Sequence, residues 1–138
     1  MAIDAVRKTT GICEAAICYT GDINNPEKTK FTLGYYVNLA RELARRGAHF
    51  IAIKDMAGLL KPSAARLLVR ALRQEVDLPI HLHTHDCSGG QLASLVLAAE
   101  EGVDIVDAAM APLSGMTSQV NLNALIEGMR GHERDPGI

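Results

Sequence analysis

The sequence predicts an α/β fold made of four successive strand–helix units. Short apolar runs alternate with stretches of helical apolar spacing, and the predicted strands start about thirty residues apart, as in repeated βα units. Buried parallel strands joined by helices fit two architectures, a small doubly wound sheet or half of an eight-stranded barrel. No Gly-rich phosphate-binding loop follows any predicted strand, which removes the commonest reason for an open nucleotide-binding sheet.

The first unit begins with a nearly continuous apolar run at residues 12–19, which predicts a mostly buried strand. Residues 24–26, Asn-Asn-Pro, then mark a loop. A helical pattern of apolar residues begins at Thr32, and Gly47 is placed where a glycine commonly ends a helix. The unit therefore reads as strand, loop and helix.

The next two units repeat this order. Residues 49–53 predict a second buried strand with Lys54 at its carboxyl end, and Pro62 suits the first turn of the following helix. Residues 78–85 predict the third strand, and residues 92–99 carry the apolar stripe of the helix after it. Both helices are expected to pack against the sheet.

The fourth unit starts with a predicted strand at residues 103–109. Residues 122–129 show the apolar stripe of a last helix, with Gly131 just past its end. Ser118 is expected to cap the start of this helix, since serine is a common N-cap residue.

Composition limits the possible partners of the chain. Its 138 residues are 48% hydrophobic and 22% charged, which is typical of one globular domain. The formal net charge is -2 and no basic run is present, so neither nucleic acid nor a membrane is an expected partner. Three cysteines without a CxxC pair favour a reduced compartment, and we expect a cytoplasmic protein.

Three histidines at strict two-residue spacing make the most informative stretch of the sequence. His81, His83 and His85 fall on the predicted third strand, where residues two apart point to the same face. Two imidazoles near the end of a strand can form a pair of metal ligands. His83 and His85 are the candidates, whereas His81 lies deeper along the strand and is interpreted as a core histidine.

Lys54 is the third candidate ligand. It ends the second predicted strand, and sequential strands of a βα repeat usually lie side by side with their carboxyl ends facing the same way. A desolvated lysine can lose its proton and react with carbon dioxide to give a carbamate, an anionic oxygen ligand for a divalent ion. The alternative for Lys54 alone is a surface charge, and for the histidines alone satisfied core residues.

Four motifs resemble a known family. They are Tyr19–Asp22 (YTGD), Ile53–Pro62 (IKDMAGLLKP), His81–Asp86 (HLHTHD) and Ser114–Gln119 (SGMTSQ). Their order and spacing resemble the carboxyltransferase domain of biotin-dependent pyruvate carboxylases, and KDMAG and HxHxH are shared with oxaloacetate decarboxylase alpha subunits and transcarboxylase. The resemblance covers essentially the whole chain.

The resemblance implies a (β/α)8 TIM-type barrel, of which these four strands are similar to strands five to eight. It implies a divalent metal, zinc or manganese, held by carboxylated Lys54, also the expected catalytic residue, and by His83 and His85. It further implies carboxyl transfer from carboxybiotin, delivered by a biotin carrier domain, to pyruvate to give oxaloacetate.

Several alternatives stay open. An oxaloacetate decarboxylase or transcarboxylase would use the same site. An amidohydrolase also joins HxH to a carboxylated lysine, but there the HxH precedes the lysine, whereas here Lys54 precedes His83. A truncated, catalytically inactive half-barrel is the non-enzymatic alternative.

Other family features have no match in the chain. The aspartate ligand and glutamine of the first barrel strand, the substrate-binding arginine, the later threonine linked to proton transfer and the biotinyl segment are all missing. Residues 1–6 resemble the inside of a helix. We therefore expect residues 1–138 to be a partial carboxyltransferase half-barrel, excised or truncated, inactive on its own and self-associating into a homo-oligomer through its exposed sheet edges.

Overall fold

The computed structural model describes residues 2–138 as strands that alternate with helices along the chain. The elements are α1 (Ala2–Arg7), β1 (Glu14–Cys18), α2 (Leu33–Arg45), β2 (Phe50–Asp55), α3 (Pro62–Glu75), β3 (Ile80–Thr84), α4 (Gln91–Glu100), β4 (Ile105–Val106), a 3-10 turn (Ala111–Leu113) and α5 (Leu122–Met129). Helix α1 agrees with the helical character expected for residues 1–6, of which Met1 lies outside the described part. No helix within residues 2–138 is long and apolar enough to cross a bilayer.

The four strands form one parallel sheet in the order β1-β2-β3-β4. The α/β prediction of four consecutive strand–helix units is therefore confirmed. The register pairs Lys54 with Cys18 on one side and with His83 on the other. Sequential strands are neighbours, so the carboxyl ends of β2 and β3 lie side by side as expected.

The helices cover only one face of this sheet. In β1, Ala15 and Ile17 are buried while the alternate residues are exposed, and in β3 Leu82 is buried between half-buried histidines. Buried side chains of α2, α3 and α4 complete the core on the covered face: Tyr36, Ala40, Leu68, Leu72 and Leu95. The prediction of a mostly buried first strand was thus wrong for one of its faces, because no layer packs there.

Helix ends follow the sequence signals in α2 and α3 but not in α5. The Thr32 side chain accepts a hydrogen bond from Tyr35 N, and Pro62 opens α3. Helix α5 is capped by Asn121, whose Oδ1 accepts from the backbone N–H groups of residues 123 and 124. The predicted Ser118 cap was wrong, because Ser118 N donates to Gly115 O inside a turn that precedes the helix.

The fourth strand is shorter than its apolar run suggests. Strand β4 covers Ile105–Val106, and residues 107–109 leave the β3 ladder. Both β1 and β4 have a strand neighbour on one side only. An open groove of about 720 Å³ lies beside β4, with side chains of α4 and α5 along it. Helices pack on one face of the sheet only, and both edge strands are unpaired on their outer side. Apolar surface therefore remains accessible beside β4.

The carboxylate of Asp55 ties the end of β2 to the end of β3. Asp55 is fully buried and accepts hydrogen bonds from Leu59 N (3.0 Å) and Leu60 N (2.8 Å) and from the Thr84 hydroxyl (2.9 Å). Asp55 therefore holds the loop after β2 through its backbone N–H groups. A buried carboxylate without a cationic partner is tolerated when several donors satisfy its oxygens.

Removal of this carboxylate should destabilise the fold. Asp55→Ala leaves buried donors unpaired, so we expect the free energy of unfolding to fall by about 3 kcal/mol, and Thr84→Val should cost about 1 kcal/mol. Urea unfolding followed by circular dichroism measures both values. Asp77→Ala, at an exposed aspartate before β3, is the control and should stay within about 0.5 kcal/mol of the parent. A loss below 1 kcal/mol for Asp55→Ala would contradict the assigned role.

Candidate metal centre

A row of ionisable side chains lies on the face of the sheet that no helix covers. Alternate residues of each strand point to this face, opposite the side chains of the core. The row comprises Glu14 on β1, Lys54 on β2, His81 and His83 on β3, and Asp107 just after β4. All five are partly exposed, and they occupy adjacent strands. Acidic, basic and imidazole side chains are therefore grouped on the uncovered face.

His83 and His85 bring their Nε2 atoms together. The two nitrogens are 3.2 Å apart, and the rings meet edge to face. The other nitrogen of each ring has an oxygen partner. His83 Nδ1 lies 2.5 Å from Asp107 Oδ2, and His85 Nδ1 lies 2.7 Å from the Thr117 carbonyl oxygen. The predicted pair of histidines thus faces a common point.

These partners determine which nitrogen of each ring carries the proton. A carbonyl oxygen can only accept a hydrogen bond, so His85 Nδ1 must be the donor, and an ionised carboxylate imposes the same state on His83 Nδ1. Both Nε2 atoms then direct lone pairs at each other across 3.2 Å. Such an arrangement is favourable only with a proton or a cation between the two nitrogens.

The geometry fits a shared metal ion. Two nitrogen ligands at about 2.05 Å from one tetrahedral zinc ion are separated by roughly 3.3 Å, close to the observed 3.2 Å. Hydrogen bonds from the remaining ring nitrogens to oxygen acceptors are also usual for metal-bound histidines. The donor set of His83 and His85 therefore suits a divalent metal.

The third predicted ligand, Lys54, stands beside this pair. Its Cα is the register partner of His83 across the β2–β3 ladder, and its side chain is half-buried rather than fully buried. Within residues 2–138, no three His, Cys, Asp or Glu side chains are grouped in a way that could hold a metal ion. Lys54 could add a third ligand only once a carbamate has given it an oxygen donor.

A close backbone contact fixes the loop after Lys54 against the end of β3. Gly58 has a φ of +67°, and a Cβ at this position would lie 2.6 Å from the carbonyl oxygen of His85. Both the conformation and the space require glycine. The Gly of the KDMAG motif therefore lets the β2 loop pack directly on the strand end that carries the histidines.

His81 is held by two carboxylates. His81 Nδ1 lies 2.6 Å from Glu14 Oε1, and His81 Nε2 lies 3.1 Å from Asp107 Oδ1, a distance that suits an ion pair although the angle is poor for a hydrogen bond. Burial alone would lower the pKa of His81, but the contacts with Glu14 and Asp107 raise it above its ordinary value. His81 Nδ1 thus has a hydrogen-bond partner, whereas Nε2 has a carboxylate oxygen nearby but no hydrogen bond.

Asp107 is ionised at neutral pH. Partial burial on its own would raise the pKa of Asp107, but its contacts with His83 and His81 outweigh burial and hold that pKa below its usual range. Sequence reasoning missed Asp107, Glu14 and the Thr117 carbonyl. Asp107 is one of two aspartates inside the otherwise apolar run of residues 103–109, which was the available signal for it, whereas a backbone carbonyl leaves none.

Comparisons with known proteins agree with this fold. Residues 3–138 match the HMGL-like family. The chain is 52% identical to pyruvate carboxylase of Bacillus subtilis (strain 168) over 99% of its length, and 54% identical to that of Staphylococcus aureus (strain Mu50 / ATCC 700699) over 97%. It spans only 12% of the length of either relative.

Solved structures give the same result. The carboxyl transferase domain of Rhizobium etli pyruvate carboxylase, determined with pyruvate and also with pyruvate and biocytin, superposes with a TM-score of 0.97 at 57% identity. The match covers 99% of this chain and 23% of that one. The four-stranded sheet is thus similar to part of that carboxyltransferase barrel. The chain belongs to the HMGL-like family.

Proposed function

We propose that residues 1–138 form part of the carboxyltransferase domain of a pyruvate carboxylase, which transfers a carboxyl group from carboxybiotin to pyruvate to give oxaloacetate. The observation that carries the proposal is the facing pair of Nε2 atoms on His83 and His85, directly beside Lys54. The pyruvate and biocytin bound to the Rhizobium etli domain support the substrate and the biotin cofactor. The two curated relatives favour this reaction over decarboxylation of oxaloacetate.

Three residues of the chain would hold the metal. His83 and His85 each offer an Nε2 lone pair, and Lys54 would add an anionic oxygen after reaction of its amine with carbon dioxide. When bound, a zinc or manganese ion would act as a Lewis acid towards a carbonyl oxygen. Lys54 would therefore be the covalently modified ligand, and His83 and His85 would bind the metal beside it.

The carboxyl group would come from biotin on a separate carrier domain. The carboxyl ends of β2 and β3, which carry Lys54 and His83, are where the chain could receive it, because barrel enzymes place their sites at the carboxyl ends of their strands. Its cysteines, one buried and two exposed, are unpaired among the described residues. Free thiols support a reducing compartment, for which we propose the cytoplasm.

On its own, the chain is proposed to bind metal weakly and to be inactive. Two histidines and one lysine leave a tetrahedral ion without its fourth ligand, which water would have to supply. The polar face also lacks a cover that could exclude solvent from a reacting enolate. The complete site would then require residues outside this chain.

The role of Lys54 as a ligand predicts a metal-binding defect. Lys54→Ala removes the amine that forms the carbamate, so we expect the dissociation constant for zinc to rise at least tenfold, while His83 and His85 still bind weakly. Zinc content after dialysis, measured by mass spectrometry, together with ¹³C NMR of the carbamate under labelled carbon dioxide, tests both points. Lys61→Ala is the matched control, because Lys61 is an exposed lysine paired with Asp22. Full zinc occupancy in Lys54→Ala would exclude the assignment.

We also propose that the chain forms a homo-oligomer. A second copy would cover the groove beside β4 and its unpaired edge, as the missing part of a barrel would. The alternative is a monomer whose uncovered face stays in water.

Light scattering tests this proposal. Ile105 lies on the edge strand β4 and is 39% exposed, so Ile105→Lys should place a charge at the unpaired edge and shift the measured mass from oligomer to monomer. Leu67 on α3 is also 39% exposed but lies away from β4, and Leu67→Lys should leave the mass unchanged. A parent chain that is monomeric at all concentrations would rule the proposal out.

A further inference from the structure

We propose that Asp107 is the positioning residue for His83: it holds the imidazole in the state with Nδ1 protonated, so that the Nε2 lone pair stays directed at the metal position. The inference builds on the proposed metal site. Asp107 lies just after β4, on a different strand–helix unit from both histidines. Its role is to set the orientation and the tautomer of a ligand rather than to bind the metal.

The contacts of Asp107 favour His83 over its other neighbour. Asp107 Oδ2 accepts from His83 Nδ1 at 2.5 Å, whereas Asp107 Oδ1 is 3.1 Å from His81 Nε2 with a poor angle. His81 has its own partner in Glu14, at 2.6 Å. The short hydrogen bond of Asp107 therefore belongs to His83, and His81 contributes mainly a nearby charge.

The two candidate ligands differ in what fixes them. His85 Nδ1 donates to the Thr117 carbonyl, a backbone group that no side-chain substitution removes. His83 Nδ1 depends on a side chain, and Asp107 is its hydrogen-bond partner among the described residues. Loss of the carboxylate would allow His83 to protonate Nε2 instead, and a protonated nitrogen cannot ligate a metal. Of the two candidate ligands, His83 is thus the one whose tautomer depends on a side chain far away in the sequence.

NMR of the imidazole nitrogens tests the proposal without any metal or variant. In the full chain labelled with ¹⁵N, at roughly pH 9 where imidazoles are neutral, His83 should show a protonated Nδ1 and an unprotonated Nε2. A parent chain in which His83 carries its proton on Nε2 would overturn the inference. This readout stands even where a variant fails to fold.

Asp107→Asn then measures the effect on the metal. Its amide can donate to Nδ1, so part of the His83 population should move to the Nε2-protonated form, and the dissociation constant for zinc should rise by about 10- to 100-fold. Glu14→Gln is the matched control: it removes one carboxylate from the same face and the partner of His81, and should change zinc affinity less than about threefold. Circular dichroism checks that both variants are folded.

The outcomes separate this inference from the proposed function. Failure of the parent chain to bind zinc, with the His83 tautomer as expected, would contradict the metal site and leave the role of Asp107 towards His83 intact. Zinc binding by the parent with an equal affinity in Asp107→Asn would contradict the positioning role alone. Equal losses of zinc affinity in Asp107→Asn and Glu14→Gln would mean that the effect comes from the removal of one negative charge. That result would also contradict the positioning role of Asp107.

Discussion

The buried carboxylate of Asp55 is the interaction on which the arrangement of the site depends. It joins the end of β2, the backbone N–H groups of the following loop and the Thr84 hydroxyl on β3. Lys54 and His83 flank these anchored positions and are register partners. The hydrogen bonds of Asp55 are buried, and most of their donors are backbone groups. The fold, rather than the long lysine side chain, therefore fixes where Lys54 and His83 lie relative to each other.

Alternate residues of each strand have different roles: one set packs in the core, and the other set faces the candidate site. Within β3, Leu82 and Thr84 point to the helices and are fully buried, while His81 and His83 point to the uncovered face. Each strand therefore contributes to the core and to the site at once, through alternate residues. An ionisable face then remains that the described helices do not shield.

Sequence patterns predict the strands, the helices and their order. They fail where the exact end of a strand or turn decides which side chains come into contact. The strand order and the convergence of Lys54 with His83 follow from apolar periodicity and from the side-by-side placement of sequential parallel strands. The contact between Asp107 and His83 depends on how far β4 runs before it leaves the ladder, and its apolar run suggested a longer strand. The helix cap at Asn121 was missed for a similar reason, since the turn before α5 extends past Ser118.

The partners of the Nε2 atoms distinguish the three histidines better than their spacing does. His81 has carboxylates at both ring nitrogens, so neither is available to a metal without breaking a contact. His83 and His85 have acceptors at Nδ1 only, and their Nε2 atoms face each other. Three residues of one type at two-residue spacing thus have different roles, because β1, the segment after β4 and the turn before α5 each supply a different oxygen. The selection of ligands from an HxHxH repeat is therefore a property of the neighbouring strands and turns, and only the spacing is a property of the repeat itself.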